Sequence, residues 1–290
     1  KQKTAYEISL GLVGSEMCIR DRYITDEWFA KQLKRYINNN FKSIFIVLGQ
    51  CFSGGFIDDL KEEFDGCGPI AILAACEWDK PSYADDQETY FLRAIQRAIY
   101  VGLREAWDIY DLCSKYIEDV QPNQHTQYHA QSNQGQTVAD KIKIGEGNSK
   151  YAILYAGNPN AKRHWNNLEY IYKRLKNELQ YKDEDIYVLY GNKIQPNGKP
   201  APDYVDFEAT RTNLRYVLDV LRDKMNKDES LLVWVNDHGG LGRWFVVDPF
   251  SIPPYGSWLY DFGLSYYFIQ SCHATLYPPF IQIYHDIPQS

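Results

Sequence analysis

Nowhere in its 290 residues does this chain hold an apolar run approaching the ~20 residues that a membrane-spanning helix needs, so no membrane span is expected. It also lacks a basic stripe. Its 31 Lys and Arg stand against 38 Asp and Glu, a net charge of −7, so a phosphate backbone would be repelled and no nucleic-acid partner is expected. Cysteine is sparse and irregular. Cys51, Cys67, Cys76, Cys113 and Cys272 form neither a disulfide framework nor a zinc-ligand pattern, and no metal or cofactor is expected in the chemistry. What is abundant argues against disorder: aromatic residues make up 15% of the chain, with 24 Tyr.

Residues 1–22 are set aside. Lys-Gln-Lys-Thr-Ala-Tyr-Glu and Gly-Leu-Val-Gly-Ser-Glu-Met-Cys-Ile-Arg-Asp-Arg resemble, in one reading frame, the translation of a sequencing-library adapter and its transposon end. Ile8, Ser9 and Leu10 fall where a variable index would sit. The segment, Cys18 included, is read as a non-biological leader and excluded from fold reasoning as a fusion scar would be; its apolar part is too short and interrupted for a signal peptide. The natural sequence is then expected to start at Tyr23 inside a longer gene, which leaves localisation open. Four basic and three acidic residues leave with the leader, so the remaining 268 residues carry −8 and are long enough for a substantial core.

The stretch from Ile44 to Gly55 organises the rest. Ile-Phe-Ile-Val-Leu is apolar without alternation and dominated by β-branched and aromatic types, which predicts a strand buried on both faces, as in a parallel sheet. Gly49 and Gln50 end it, Cys51 follows at its carboxyl end, and Ser53-Gly54-Gly55 predicts a tight turn beside the thiol. Ligands of open α/β sheets bind at that edge. Taken alone, the motif also describes a buried structural cysteine, since free Cys is among the most buried residue types.

Before this strand, Thr25-Asp26-Glu27 can cap a helix with Trp28, Phe29, Leu33, Tyr36 and Ile37 at helical spacing. After it come a short helix over 56–64 and a second buried strand over 69–75, which runs out into a loop from Cys76 to Ala84 at the same edge as Cys51. Tyr90 to Val120 is predicted to be largely helical, Phe91, Ile95, Ile99, Leu103 and Trp107 forming one long stripe. Residues 121–149, rich in Gln, Asn, His and Gly, are expected to be a polar connector or loosely ordered surface loop. A second α/β series follows: strands over 151–156, 186–191 and 231–237, and helices over 165–180 and 210–225. At the carboxyl end of the last strand stand His238, Gly239 and Gly240.

A thiol and an imidazole, each at the carboxyl end of a buried strand and each near glycine, are what a cysteine nucleophile needs. An imidazole side chain ordinarily titrates near neutrality, which suits His238 to hold the Cys51 proton or return it to a leaving amine. The Gly239 and Cys51 amides can stabilise an oxyanion. His238 can also be read as a turn histidine bonded to its own loop. Cys67, Cys76 and Cys113 read as core or loop thiols, and His125, His129, His164 and His285 as surface residues.

These segments resemble those of a caspase-like cysteine peptidase of the legumain type. Residues 150–247 resemble its first half: Ala156-Gly157-Asn158, Arg163-His164, a helix, Val188-Leu189-Tyr190 and Asn236-Asp237-His238-Gly239. Residues 23–120 resemble its second half: the Thr25 helix, Gln50-Cys51-Phe52-Ser53-Gly54, and Ala74-Ala75-Cys76 running to Ser82-Tyr83-Ala84. The resemblance implies an endopeptidase acting on a peptide or protein substrate, with Cys51 as nucleophile, His238 as acid and base, and Gly239 as an oxyanion donor. It also implies a primary specificity pocket near Arg163 and Ser82 for an Asn or Asp side chain. The fold implied is a caspase-like three-layer α/β sandwich, a mostly parallel sheet flanked by helices.

The order of the halves departs from the family, where the histidine half comes first. Either the chain is a permuted single domain, its half-domains joined by the 121–149 connector, or it spans the end of one domain and the start of the next. The second case would leave an inactive fragment, or a pseudopeptidase that only binds. An α/β-hydrolase-type esterase with a Cys nucleophile is a further alternative, though its elbow wants Gly where Ser53 stands. Transamidases of the same family share the dyad. The tail, 248–290, stays unassigned; Gln270-Ser271-Cys272-His273 after Tyr266–Ile269 invites a second nucleophile reading, weakened because no Gly follows.

Overall fold

The computed structural model describes residues 23–245 except Asn39, Asn148 and Asn160; the leader and the tail, with Cys272, His273 and His285, lie outside the described residues. Within them, uninterrupted apolar runs become strands. Ser43–Leu48 (β2), Ile70–Ala74 (β3), Ile186–Tyr190 (β6) and Ser230–Val235 (β7) are buried at every position, and Lys150–Ala156 (β5) at all but its first. Gln127–Gln131 (β4) adds the sixth strand of a sheet ordered β4-β3-β2-β7-β5-β6. All neighbours are parallel except β3 and β4. Strands on both sides of the 121–149 segment thus share one sheet, with β2 between β3 and β7.

Because side chains alternate along a strand, each one feeds two cores. Ile44, Ile46 and Leu48 pack with helices Asp26–Ile37 (α1) and Gly55–Glu63 (α2), and with a later helix, Arg211–Lys224 (α7). Phe45 and Val47 pack on the other face with Tyr90–Tyr100 (α3), Ala106–Val120 (α4) and Lys162–Asn177 (α6). A short helix, Gln136–Asp140 (α5), joins that layer through Ala139. Helices on both faces give three layers. Each fully buried Ile or Leu is worth roughly 1.5–3 kcal/mol over an exposed one, so doubly covered strands dominate the stability. Threonines start three of the helices: Thr25, Thr89 and Thr210 accept from the amides of Trp28, Leu92 and Asn213.

Two expectations are corrected. The helix expected over 90–120 divides at Gly102 (φ +94°), where the Gly102 amide bonds the Ile99 carbonyl at 3.1 Å and the Leu103 amide that of Ala98 at 3.0 Å. This is a glycine-closed helix end, and the Arg104 guanidinium covers the Ile99 and Leu103 carbonyls as well. Leu103 still packs on the core beside Ile99, but Trp107 is left exposed. The second correction is 121–149, which is not loosely ordered. It holds β4 and α5, and Gln124, 1% exposed, donates to the Ala75 carbonyl and accepts from the Tyr83 amide, both at 2.8 Å. An edge strand with only Ala130 buried carries no apolar pattern, which is why its composition reads as loop.

A small sheet caps the same edge: Tyr23–Thr25 (β1) and Gly239–Gly240 (β8) each pair antiparallel with Arg243–Phe245 (β9). Trp244 anchors it, fully buried and stacked on Phe56 with ring centroids 4.8 Å apart. Replacing Gln124 by Ala strands two backbone groups, so urea unfolding should show a loss of about 1–3 kcal/mol. The exposed neighbour substitution His125→Ala should stay within about 0.5 kcal/mol.

Candidate active site

β2 and β7 pair at a constant offset, from Ser43 opposite Ser230, their hydroxyls 2.9 Å apart, to Leu48 opposite Val235. The Gly49 amide extends the ladder to the Val235 carbonyl at 2.8 Å. Three residues past the last pair stand Cys51 and His238. Parallel pairing therefore delivers the thiol and the imidazole to adjacent strand ends, and the next residue is in contact across the gap. Gly239 lies so close to Cys51 that a methyl group on it would sit 2.1 Å from the Cys51 carbonyl oxygen. Only glycine fits there.

The turn after Cys51 is built differently from expectation. Gly54 has ordinary helical dihedrals; it is small because it lies flat on the loop after β3, where a Cβ would meet the Cys76 carbonyl and Trp78 amide at 2.8 Å. The positive φ belongs to Phe52, at +59°, an uncommon conformation for a bulky residue and one that concentrates at functional sites. The Phe52 amide donates to the Lys80 carbonyl at 3.0 Å, which holds that conformation. The same loop closes over the thiol. Ser82 donates its amide to Cys51 Sγ at 3.3 Å, and its carbonyl accepts from the thiol at 3.5 Å.

Arg163, on the first turn of α6, places Nη2 3.2 Å from His238 Nε2. Guanidinium only donates, so Nε2 is the acceptor in this contact and a neutral His238 carries its proton on Nδ1. The five residues singled out from sequence, Cys51, Ser82, Arg163, His238 and Gly239, thus gather at one sheet edge.

Sequence reasoning missed several neighbours. His164, expected at the surface, is 1% exposed. It lies four residues before Leu168 on the inward face of α6, the position at which a helix repeats. Its Nδ1 faces the Asn236 carbonyl at 3.2 Å and Asn236 Oδ1 at 3.3 Å, while Asn236 Nδ2 donates to the His164 carbonyl at 2.7 Å. Two acceptors fix the proton on Nδ1. Burial, reinforced by His238 and Arg163, pushes His164 well below its ordinary value, so it stays neutral. Its ring meets that of His238 edge to face, centroids 4.9 Å apart.

Asp237 is buried as well. Its carboxyl accepts from the amides of Gly157 at 2.7 Å, Asn158 at 3.2 Å and His238 at 2.7 Å, stitching β5 to the His238 loop. Burial outweighs those donors and pushes its pKa up to about 8. Gln50 is fully buried with neither side-chain amide atom hydrogen-bonded, and Ser82 Oγ is likewise buried without a partner among the described residues. Cys76 is pushed up to about 11 by burial, which keeps it a thiol. Among the described residues no group of three or more His, Cys, Asp or Glu side chains converges as a metal would require, and no helix is long and apolar enough to cross a membrane.

Comparison with models of known protein families, with curated proteins and with solved structures returns no match.

The Gly239→Ala substitution should cost at least about 1–3 kcal/mol in urea unfolding, because the methyl meets backbone rather than a movable side chain. A pH dependence also follows from Asp237. Its folded value, about 8, lies above the ordinary 3.8. Between those values the folded protein binds a proton that the unfolded chain has released, so stability falls as pH rises through that window. The Asp237→Asn variant should lose this component, and its melting temperature should change less between pH 5 and pH 8 than the parent's.

Proposed function

We propose that this chain is a cysteine endopeptidase of the caspase-like, legumain-related type, its two half-domains joined in permuted order. The observation that carries the reading is the β2–β7 register, which puts Cys51 and His238 at neighbouring strand ends with Gly239 against the Cys51 backbone. The sharing of one sheet by the two halves supports a working single domain over an inactive fragment, which would leave β2 or β7 without its neighbour. An esterase elbow is disfavoured because Ser53, not Gly, stands two residues after the thiol, buried and 3.7 Å from Cys76 Sγ.

In the proposed reaction the Arg163 guanidinium turns to the substrate and frees His238 Nε2, which takes the Cys51 proton, and the thiolate attacks the substrate carbonyl carbon. The resulting oxyanion is held by the amides of Gly239 and Cys51. Collapse expels the amine, which receives the proton from His238 and leaves an acyl thioester on Cys51. Water, giving a proton to His238, attacks the thioester; the acid departs and the thiol is restored.

Buried polar groups without partners cost roughly 1–3 kcal/mol each, so Gln50 and Ser82 beside the thiol favour a substrate that satisfies them. A primary amide or carboxyl side chain does so, and Arg163 supplies the cation for the latter. This supports cleavage after Asn or Asp.

The test is covalent labelling by an electrophilic peptide bearing Asn or Asp at its reactive end. Parent protein should be labelled on Cys51, Cys51→Ala should show none, and His238→Ala should label roughly 10²–10⁴ times more slowly. Absence of labelling in folded parent protein would sink the peptidase reading.

A further inference from the structure

We infer that Lys34 and Cys67 form an oxidative cross-linking site, closed by hydrogen peroxide into a covalent sulfur–oxygen–nitrogen bridge. Lys34 Nζ lies 2.6 Å from Cys67 Sγ, inside ordinary nitrogen–sulfur contact and at the gap that one bridging oxygen atom spans. Both partners are held in place. The Lys34 ammonium lies over the Phe64 ring, 5.4 Å from its centroid. Cys67 is fixed through its backbone: its amide donates to Phe64 at 3.0 Å and its carbonyl accepts from Asn133 at 2.8 Å. Its Sγ also reaches the Asp65 carbonyl at 3.6 Å.

Cys67 is 3% exposed, yet it directly follows a surface turn whose Asp65 and Gly66 are exposed, with open space where a Gly66 side chain would point. A small neutral oxidant needs little opening to reach it. Neither side chain belongs to the Cys51–His238 site, and the inference stands apart from the proposed peptide cleavage.

The chemistry balances with two peroxide molecules. The first transfers oxygen to sulfur by a two-electron oxidation, turning the thiol into a sulfenic acid and releasing one water. The Lys34 ammonium gives one proton to water, and the second peroxide oxidises the resulting amine nitrogen by two electrons as it joins the sulfenic oxygen. That step forms the nitrogen–oxygen bond, breaks the sulfenic O–H and one N–H bond, and releases two waters. The product contains one more oxygen and two fewer hydrogens than the reduced pair.

The bridge ties α1 to the turn that leads into β3. The first residue of α1 holds the His238 loop, the Asp26 amide donating to the Gly242 carbonyl at 3.0 Å. A cross-link across 33 residues also restrains the unfolded chain, and a rise in melting temperature on the order of 5 °C is expected.

The experiment treats the reduced full chain with a small excess of hydrogen peroxide and maps tryptic peptides by mass. Support is a single cross-linked species joining the Lys34 and Cys67 peptides, uncleaved at Lys34, with the stated gain and loss of atoms, and reverted by dithiothreitol. It must be absent from Lys34→Arg and from Cys67→Ala, each checked for folding by circular dichroism. Recovery of Cys67 as an unlinked sulfinic or sulfonic acid, as a disulfide, as a direct sulfur–nitrogen bond or unchanged would each overturn the inference. The Lys34→Arg variant, which keeps the thiol and the charge, separates loss of the bridge from loss of the fold.

Discussion

Leu48 and Val235 lie side by side at the ends of two parallel strands, and three residues beyond each the chain presents a thiol and an imidazole. That pairing sets the offset between the two residues as firmly as it sets the ladder, because a one-residue slip would turn every buried side chain of β2 or β7 to the opposite core. Both strands are covered on both faces, so a slip has no solvent face to exploit. The geometry of the site is therefore paid for by the core.

Around this pair, polar groups are held in particular protonation states by burial. His164 is kept neutral, with its proton fixed by Asn236, and forms a wall against His238. Asp237 ties the His238 loop to β5 through three amides. Cys76 stays a thiol and serves the turn, its Sγ 3.1 Å from the Lys80 carbonyl. Low dielectric strengthens each of these bonds and makes each unsatisfied group expensive. Gln50 and Ser82 carry buried side-chain polar atoms left unsatisfied near Cys51.

The loop over the thiol depends on a part of the chain that carries no catalytic motif. Gln124 bridges the end of β3 and Tyr83, next to the residue that grips Cys51. Trp244 and β9 hold the other side, packing the loop after His238 onto α1 and α2. Loop positions that carry chemistry need such a rigid frame.

By itself the sequence determined the buried parallel strands, the helices with apolar stripes, the Thr25 cap, and the presence of Cys51 and His238 at strand ends. Those signals are local: a run of buried residues or a periodic face lies within one short segment. The helix break at Gly102 was not read, because the apolar residues that continue past it give one unbroken stripe. Tertiary structure alone decided that β2 lies against β7, that a polar stretch with one buried alanine forms an edge strand, and that His164 turns inward. It alone made Gly239 a matter of contact with Cys51 rather than of dihedral freedom. The reason is physical: burial and strand adjacency belong to pairs of residues far apart in the chain, and a single sequence records each partner without recording the pair.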